Sequence, residues 1–213
     1  MSSDKIAFNS GLNIGLFGGT FDPIHNGHLH VIKKLVPKFD LLMLIPAATP
    51  QLRDKPSTSA AHRLEMCEQA LLDLDSNIAD KVVISDIEIQ RKGNTYTYDT
   101  LQELRAFFPQ DSFTLIIGSD AAQNFENWKR AKDIIKMAKV LVVKRPNSDI
   151  PGEKKENKFD FEEIKISALD ISATKIREQL ANSKIPADIS THVAKFIKNN
   201  NLYKENREKV KSI

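Results

Sequence analysis

The stretch Ile14-Gly-Leu-Phe-Gly-Gly-Thr-Phe-Asp-Pro-Ile-His-Asn-Gly-His-Leu29 restricts this chain more than any other part of it. The apolar run Ile14 to Phe17 reads as a buried strand. It breaks at Gly18-Gly19, crosses a turn holding Asp22-Pro23 and enters a helix near Gly27. Strand, glycine turn and helix N-terminus together make an anion site, because backbone N–H groups without intrahelical partners point at the ligand. His25 and His28 stand at that entrance and project from one side once the helix has begun. Imidazoles add hydrogen bonds and an adjustable positive charge, which suits a phosphate whose charge builds during a reaction. The Gly-x-Gly-x-x-Gly fingerprint and the Gly-x-x-x-x-Gly-Lys-Ser/Thr loop are both absent. Spacing alone therefore leaves a second reading open, a plain strand–turn–helix carrying two surface histidines.

Apolar runs and helical spacing alternate along the rest of the chain. Leu29 to Val36 has helical periodicity ending at Pro37, and Asp40 to Ile45 reads as a second buried strand, completing one crossover unit. Residues 46–59 contain Arg53, Asp54 and Lys55 among Pro, Thr and Ser. They read as a surface loop or, alternatively, as a basic lid over a phosphate. Thr58 or Ser59 is expected to cap a helix running to about Asp75, with Leu64, Leu71 and Leu72 inward and Cys67 packed. Lys81 to Ile89 alternates as a third strand. Thr97 or Asp99 then caps a helix carrying Leu101, Leu104, Phe107 and Phe108. Phe113 to Ile117 is a fourth strand ending in Gly118-Ser119-Asp120, followed by a helix with Phe125 and Trp128 and another over Ala131 to Ala138. Val140 to Val143 makes a fifth strand, residues 147–163 a poorly ordered polar loop, and Glu163 to Ile166 a short last strand. Ser172 caps one more helix, and Ile189 to Asn200 forms the last.

This order predicts an α/β chain, a Rossmann-like open parallel sheet with helices on both faces and a small helical C-terminal part. The expected division is an extension over 1–13, one domain over 14–203 with its helical part at 172–203, and a frayed tail at 204–213. Charge and composition narrow the partners. Net charge is +3, too small to point to nucleic acid, and no apolar run reaches the ~20 residues of a membrane span. Cys67 is the sole cysteine, which excludes an internal disulfide and a cysteine-based metal cluster. The polar start, Met1 to Asn13, lacks an apolar signal core, so the expected location is the cytoplasm.

In open α/β sheets ligands bind beyond the carboxyl ends of the strands. The Gly18–Leu29 loop, Pro46–Lys55, Gly118–Asp120 and Lys144-Arg145 all fall at such ends. Ser172 and Thr174 sit at another helix N-terminus, and Arg177 one turn on adds a fork of charged donors. Gly-Gly-Thr-Phe-Asp-Pro-x-His-x-Gly-His-Leu closely resembles the signature of the nucleotidyltransferase superfamily with the T/HxGH motif. Ile171-Ser-Ala-Thr-Lys-Ile-Arg177 resembles that superfamily's second motif, Ile-Ser-Ser/Thr-Thr-x-Ile-Arg. Within the superfamily the chain most resembles bacterial nicotinate-nucleotide adenylyltransferases, from about Ile14 to Tyr203. Thr95-Tyr-Thr-Tyr-Asp-Thr100 is similar to that family's loop at the pyridine site, and Trp128 to a tryptophan that stacks on the nicotinate ring. Taken alone, Trp128 reads better as core packing. Where the family has Pro-Pro-His-Lys after the second strand, this chain has Pro50-Gln51-Leu52-Arg53. Arg53 can supply the lysine's charge, but Leu52 cannot supply the histidine's hydrogen bond.

The resemblance implies AMP transfer from ATP to nicotinate mononucleotide in NAD synthesis, with Mg²⁺ arriving with ATP. It implies that His25 and His28 stabilise phosphate charge and that Ser172, Thr174 and Arg177 hold the leaving pyrophosphate. Gly18, Gly19, Thr20 and Phe21 would approach ATP through backbone, and Gly118 and Asp120 would contact adenosine. The acceptor would be held by Thr95, Tyr96, Thr97, Trp128 and Arg53. Two alternatives stay open at this point. One is a different phosphate acceptor, nicotinamide mononucleotide or phosphopantetheine. The other is a module that binds ATP without turnover.

Overall fold

Asn13–Gly19 forms β1, followed in chain order by β2 (Leu41–Pro46), β3 (Val82–Ile84), β4 (Ser112–Gly118), β5 (Lys139–Lys144) and β6 (Glu162–Lys165). They make one six-stranded, wholly parallel sheet in the order β3-β2-β1-β4-β5-β6. The computed structural model describes residues 11–48, 56–91, 93–144, 159, 161–167, 169 and 171–204.

The near-continuous apolar runs in β2 and β4 follow from burial on both faces. Ile14, Leu16, Met43, Ile45, Leu115 and Ile117 point to one side, against α5 (Thr97–Phe107) and α7 (Ala131–Met137). Leu42, Leu44, Ile116 and Leu141 point to the other, against α1 (Asn26–Leu35), α2 (Ala60–Leu71), α8 (Ala173–Ala181) and α9 (Thr191–Asn199). Ile176, Leu180, Val193 and Ile197 of the last two helices are buried in that second core, so the C-terminal helices share the interior of the sheet. Burial of each such side chain contributes roughly 1.5–3 kcal/mol. Among the described residues no helix is long and apolar enough to cross a membrane.

Four local expectations need correction. β1 continues through Gly18 and Gly19, which pair with Ile45 and Pro46, so the strand does not break at the glycines. β3 is short, and the chain turns at Ser85 into α4 (Ile87–Gln90) where an alternating strand had been expected as far as Ile89. Asp86 accepts from Gln90 Nε2 at 2.8 Å and Ser85 Oγ from the Ile87 N–H at 3.4 Å, local bonds that compete with an edge-strand ladder. Ser59 does cap α2, but the inward face is Arg63, Met66, Cys67 and Ala70, and Leu72 is 62% exposed. After β4 the chain forms α6 (Ser119–Gln123) and a 3₁₀ turn over Phe125–Asn127, and Trp128 follows in extended backbone outside any helix.

The strand order reverses between β1 and β4, whose carboxyl ends carry the Gly18–His28 loop and Gly118. In folds of this kind ligands bind beyond the carboxyl ends of the strands at such a reversal.

Candidate active site

The loop leaving β1 enters α1 with His25 as N-cap, in extended backbone, and His28 at the third helical position. Their rings stack at 3.7 Å between centroids and 27° between planes. The His25 backbone N–H donates to His28 Nδ1 at 3.2 Å. An Nδ1 that accepts leaves the neutral ring's proton on Nε2, which makes His28 Nε2 a donor. Phe21 supports the pair from below: its ring meets His28 edge-on at 5.0 Å and Phe17 at 5.8 Å. Phe21 is buried and holds φ at +50°, a conformation that a bulky residue keeps only when its surroundings impose it. A Cβ at Gly19 would lie 2.7 Å from the Phe21 ring, so glycine is required there. A Cβ at Gly118 would meet nothing within 4 Å, and one at Gly18 would touch only the Ile45 carbonyl at 3.9 Å, so neither glycine is forced by crowding.

α8 brings the second motif to the first. Ser172 caps the helix, its Oγ accepting the Lys175 N–H at 3.5 Å. Arg177 donates through Nη2 to Thr174 Oγ1 at 3.2 Å and through Nη1 to the carbonyl of Asp22 at 2.9 Å. Ile171 lies beside Gly27, so the start of α1 and the chain entering α8 adjoin. Among the sequence-predicted phosphate residues, His25, His28, Thr174 and Arg177 therefore share one neighbourhood. Gly118 and Asp120 are exposed at the end of β4 and the first turn of α6. Leu52, Arg53 and Arg145 lie outside the described residues.

Two buried residues that sequence reasoning passed over fasten this half. Asp22, 5% exposed, accepts from the Ser57 N–H at 2.7 Å, Thr58 Oγ1 at 2.8 Å and the Tyr203 hydroxyl at 2.7 Å. Arg63, 1% exposed, donates to the carbonyls of Thr20 at 2.7 Å and Ala48 at 2.9 Å, joining the loop after β1 to the chain after β2. Burial pushes the Arg63 guanidinium below its ordinary value, against the pull of Asp22. Burial, and then the negative charge of Asp22, pushes the Tyr203 hydroxyl well up, which keeps it a donor.

On the other side of the sheet Tyr96 is the N-cap of α5, and Thr95 is only 7% exposed, its side chain turned toward Glu88. What the Thr95–Thr97 turn leaves accessible is therefore backbone and the half-buried Tyr96 and Thr97. Trp128 is half-buried and packs on Phe125 at 5.1 Å. The segment after it is tied to α5: Lys129 Nζ lies 2.9 Å from Asp99 Oδ2 and 4.5 Å over the Tyr96 ring, and Arg130 lies 4.1 Å over Tyr98. Among the described residues no group of three His, Cys, Asp or Glu side chains is placed to hold a metal ion.

Comparison with known proteins places this arrangement. The cytidylyltransferase-like family model matches residues 16–179. A protein of Neisseria meningitidis named "Probable nicotinate-nucleotide adenylyltransferase" is 33% identical over 203 residues, covering 90% of this chain and 98% of the relative. A protein of the same name from Clostridium tetani is 35% identical over 184 residues, covering 82% and 90%. The chain belongs to the nicotinate-nucleotide adenylyltransferase family. Its fold matches that of the Plasmodium falciparum nicotinic acid mononucleotide adenylyltransferase solved with NaAD, with a TM-score of 0.76 and 22% identity over 90% of this chain and 97% of that one. A putative nicotinate-nucleotide adenylyltransferase from Vibrio parahaemolyticus gives a TM-score of 0.64 at 23% identity, covering 91% and 96%. At these identities the likeness speaks to the fold alone.

For a member of this family, the sequence signal for Asp22 was its place in the signature, which read as a turn. The signal for Arg63 was a cation at a position whose neighbours Met66 and Cys67 set the inward face of α2. Either residue becomes visible only when the carbonyls and donors it meets are known.

Proposed function

We infer that the chain catalyses transfer of AMP from ATP to nicotinate mononucleotide, giving nicotinate adenine dinucleotide and pyrophosphate in NAD biosynthesis. The observation that carries this reading is the convergence of the stacked His25–His28 pair with Arg177 of α8 on the loop that leaves β1. The phosphate oxygen of the acceptor attacks the α-phosphorus of ATP in line. The new P–O bond forms as the bond from the α-phosphorus to the bridging oxygen breaks, and pyrophosphate leaves with that electron pair. The nucleophile is already ionised near neutral pH, so the work of the protein is positioning and charge stabilisation.

His28 donates from Nε2 to the phosphate oxygens, and His25 backs it by stacking and by fixing its tautomer. Thr174 and Arg177 hold the leaving pyrophosphate, with Ser172 shaping the N-terminus of α8. Gly18, Gly19, Thr20 and Phe21 meet ATP through backbone, while Gly118 and Asp120 face adenosine. Trp128 stacks on the pyridine, whose electron-poor ring suits an indole face, and the turn at Thr95, Tyr96 and Thr97 offers N–H groups to its carboxylate. Arg53 adds a cation for the acceptor phosphate. A divalent cation such as Mg²⁺ would arrive with ATP and offset the charge of its phosphates, while His28, Thr174 and Arg177 would meet the phosphate oxygens.

The test is pyrophosphate release from MgATP with nicotinate mononucleotide, nicotinamide mononucleotide or phosphopantetheine in parallel. Preference for the nicotinate acceptor is the expected result. Equal use of both pyridines would remove the role given to the Thr95–Thr97 amides, and silence with all three would leave an ATP-binding module without turnover.

A further inference from the structure

Glu88 takes no part in the reaction described above, yet it is the centre of a polar cluster directly under the turn into α5. It sits on α4, just after β3, and its Oε1 accepts from Thr100 Oγ1 at 3.0 Å. The Thr95 side chain lies close enough to the same carboxyl group to favour its charged form. Thr95 and Thr100 are 7% and 3% exposed, so both hydroxyls face inward. Thr100 Oγ1 also accepts from Arg91 Nη1 at 3.2 Å, and Arg91 in turn lies on Glu103, with Nε at 3.0 Å and Nη2 at 2.9 Å from Oε1.

The Thr100 proton has two acceptors within reach, Glu88 Oε1 and the Tyr96 carbonyl at 3.3 Å. That carbonyl already accepts from the N–H groups of Asp99 at 3.0 Å and Thr100 at 3.2 Å, so the hydroxyl goes to Glu88. Burial pushes the Glu88 carboxyl above its ordinary range, and the Thr100 bond, the nearby Thr95 side chain and Arg91 pull it back. One carboxyl thus clasps the residue before the N-cap of α5 and the residue in its first full turn. The amides of Thr97 and Tyr98, at the open end of α5, have no intrahelical acceptor by position and are oriented by whatever fixes that turn.

We propose that Glu88 is a positioning residue for acceptor recognition: by clasping Thr95 and Thr100 it fixes the entry to α5, and so sets the affinity for nicotinate mononucleotide without touching it. The proposal rests on the reading that this turn receives the acceptor. A residue that only braced the fold would lower stability and disturb both substrates alike. A residue that aims the acceptor amides changes one substrate and spares the other.

The experiment uses two readouts on the full chain. Trp128 is the only tryptophan, so its fluorescence reports the binding of nicotinate mononucleotide directly, and pyrophosphate release gives KM for each substrate. Glu88→Gln and Thr100→Val are expected to weaken nicotinate mononucleotide binding and raise its KM about tenfold, with KM for ATP held within about twofold. Thr100→Ser keeps the hydroxyl and is expected to restore the acceptor KM to within about twofold of wild type. Circular dichroism and thermal unfolding confirm that each variant is folded before it is assayed. Equal rises in both KM values, unchanged acceptor binding in Glu88→Gln, or a Thr100→Ser variant as impaired as Thr100→Val would each overturn the proposal. A wild type that binds nicotinate mononucleotide but releases no pyrophosphate would overturn the proposed reaction instead, and the fluorescence titration of the variants would still decide the role of Glu88.

Discussion

In the half of the site proposed to hold phosphate, between the β1–α1 loop and α8, the fastenings are buried. Asp22 gathers three donors and Arg63 two carbonyls, and both side chains are shielded from water. In the half proposed to hold the acceptor the outer fastening lies at the surface. Lys129 and Asp99 form an ion pair whose side chains keep 43% and 28% exposure, and Trp128 itself is half-open. An exposed pair of this kind contributes at most about 1 kcal/mol, whereas leaving a buried donor or acceptor unpaired costs about 1–3 kcal/mol for each group. The difference fits the division of work proposed for the two halves. Phosphate charge must be met by donors that do not reorganise during transfer, while an aromatic ring that admits the acceptor must stay reachable.

The comparison predicts its largest effect at the histidine pair. His28→Ala is expected to lower kcat about 10²–10³-fold, because it removes a donor aimed at developing charge. The variant should unfold within a few degrees of wild type, since His28 is half-buried at the mouth of α1. Steady-state assays with thermal unfolding check both parts, and near-normal kcat would remove His28 from the reaction.

Arg63→Met comes next and sharpens the contrast in the other direction. The volume is roughly kept, but the Thr20 and Ala48 carbonyls lose their donor and Asp22 loses a nearby cation. Stability is expected to fall by about 3 kcal/mol, or about 10 °C in Tm for a chain of this size. Arg63→Lys should recover only part of this, because one ammonium does not reproduce a fork that reaches two loops. A Tm within about 2 °C of wild type for Arg63→Met would mean that water replaces the guanidinium and that the phosphate half is not fastened from within.

These two residues also show where sequence reading stops. The glycines and histidines of the signature were legible because each answers a local demand: a Cβ at Gly19 has no room, and His25 and His28 meet across one helical turn. The strands were legible as apolar runs between helices. Arg63 was hidden because an arginine beside Leu64 reads as the solvent side of an amphipathic helix, which turned the predicted inner face of α2 toward Leu64, Leu71 and Leu72. Asp22 was hidden because its donors, Ser57, Thr58 and Tyr203, lie 35, 36 and 181 residues away. The strand predicted through Ile89 failed for a related reason: Ser85 and Asp86 bond locally and divert the edge of the sheet into α4, where Glu88 comes to face Thr95 and Thr100.

Trp128→Ala tests the acceptor half alone. The expected change is a rise of about five- to tenfold in KM for nicotinate mononucleotide, with KM for ATP and thermal stability nearly unmoved. Phe125 beneath it is fully buried, so the platform stays in place when the indole is removed. A large loss of Tm with little change in KM would make Trp128 a packing residue, which is how it reads when taken alone.

The smallest predicted effect concerns a link of intermediate exposure, between the end of α2 and the start of α9. Asp73 accepts from the His192 N–H at 3.0 Å and lies 2.7 Å from His192 Nδ1, with 20% and 44% of the two side chains exposed. Burial by itself pushes the Asp73 carboxyl up, but the nearby Ser190 side chain and its bonds from His192 outweigh that and hold it below the usual carboxylate range. A carboxyl depressed in the folded state stabilises above its unfolded value, about 3.9, and loses that contribution as pH falls through the folded one. Asp73→Asn is therefore expected to lower stability by about 1 kcal/mol at pH 7, with the gap to wild type closing below about pH 4. Urea unfolding of both proteins from pH 7 to pH 3 measures it. A gap that stays constant across that range would show that the bonds act without the charge, and this link would then belong with the neutral packing of α9 on α2 and not with the ionic fastenings of the phosphate half.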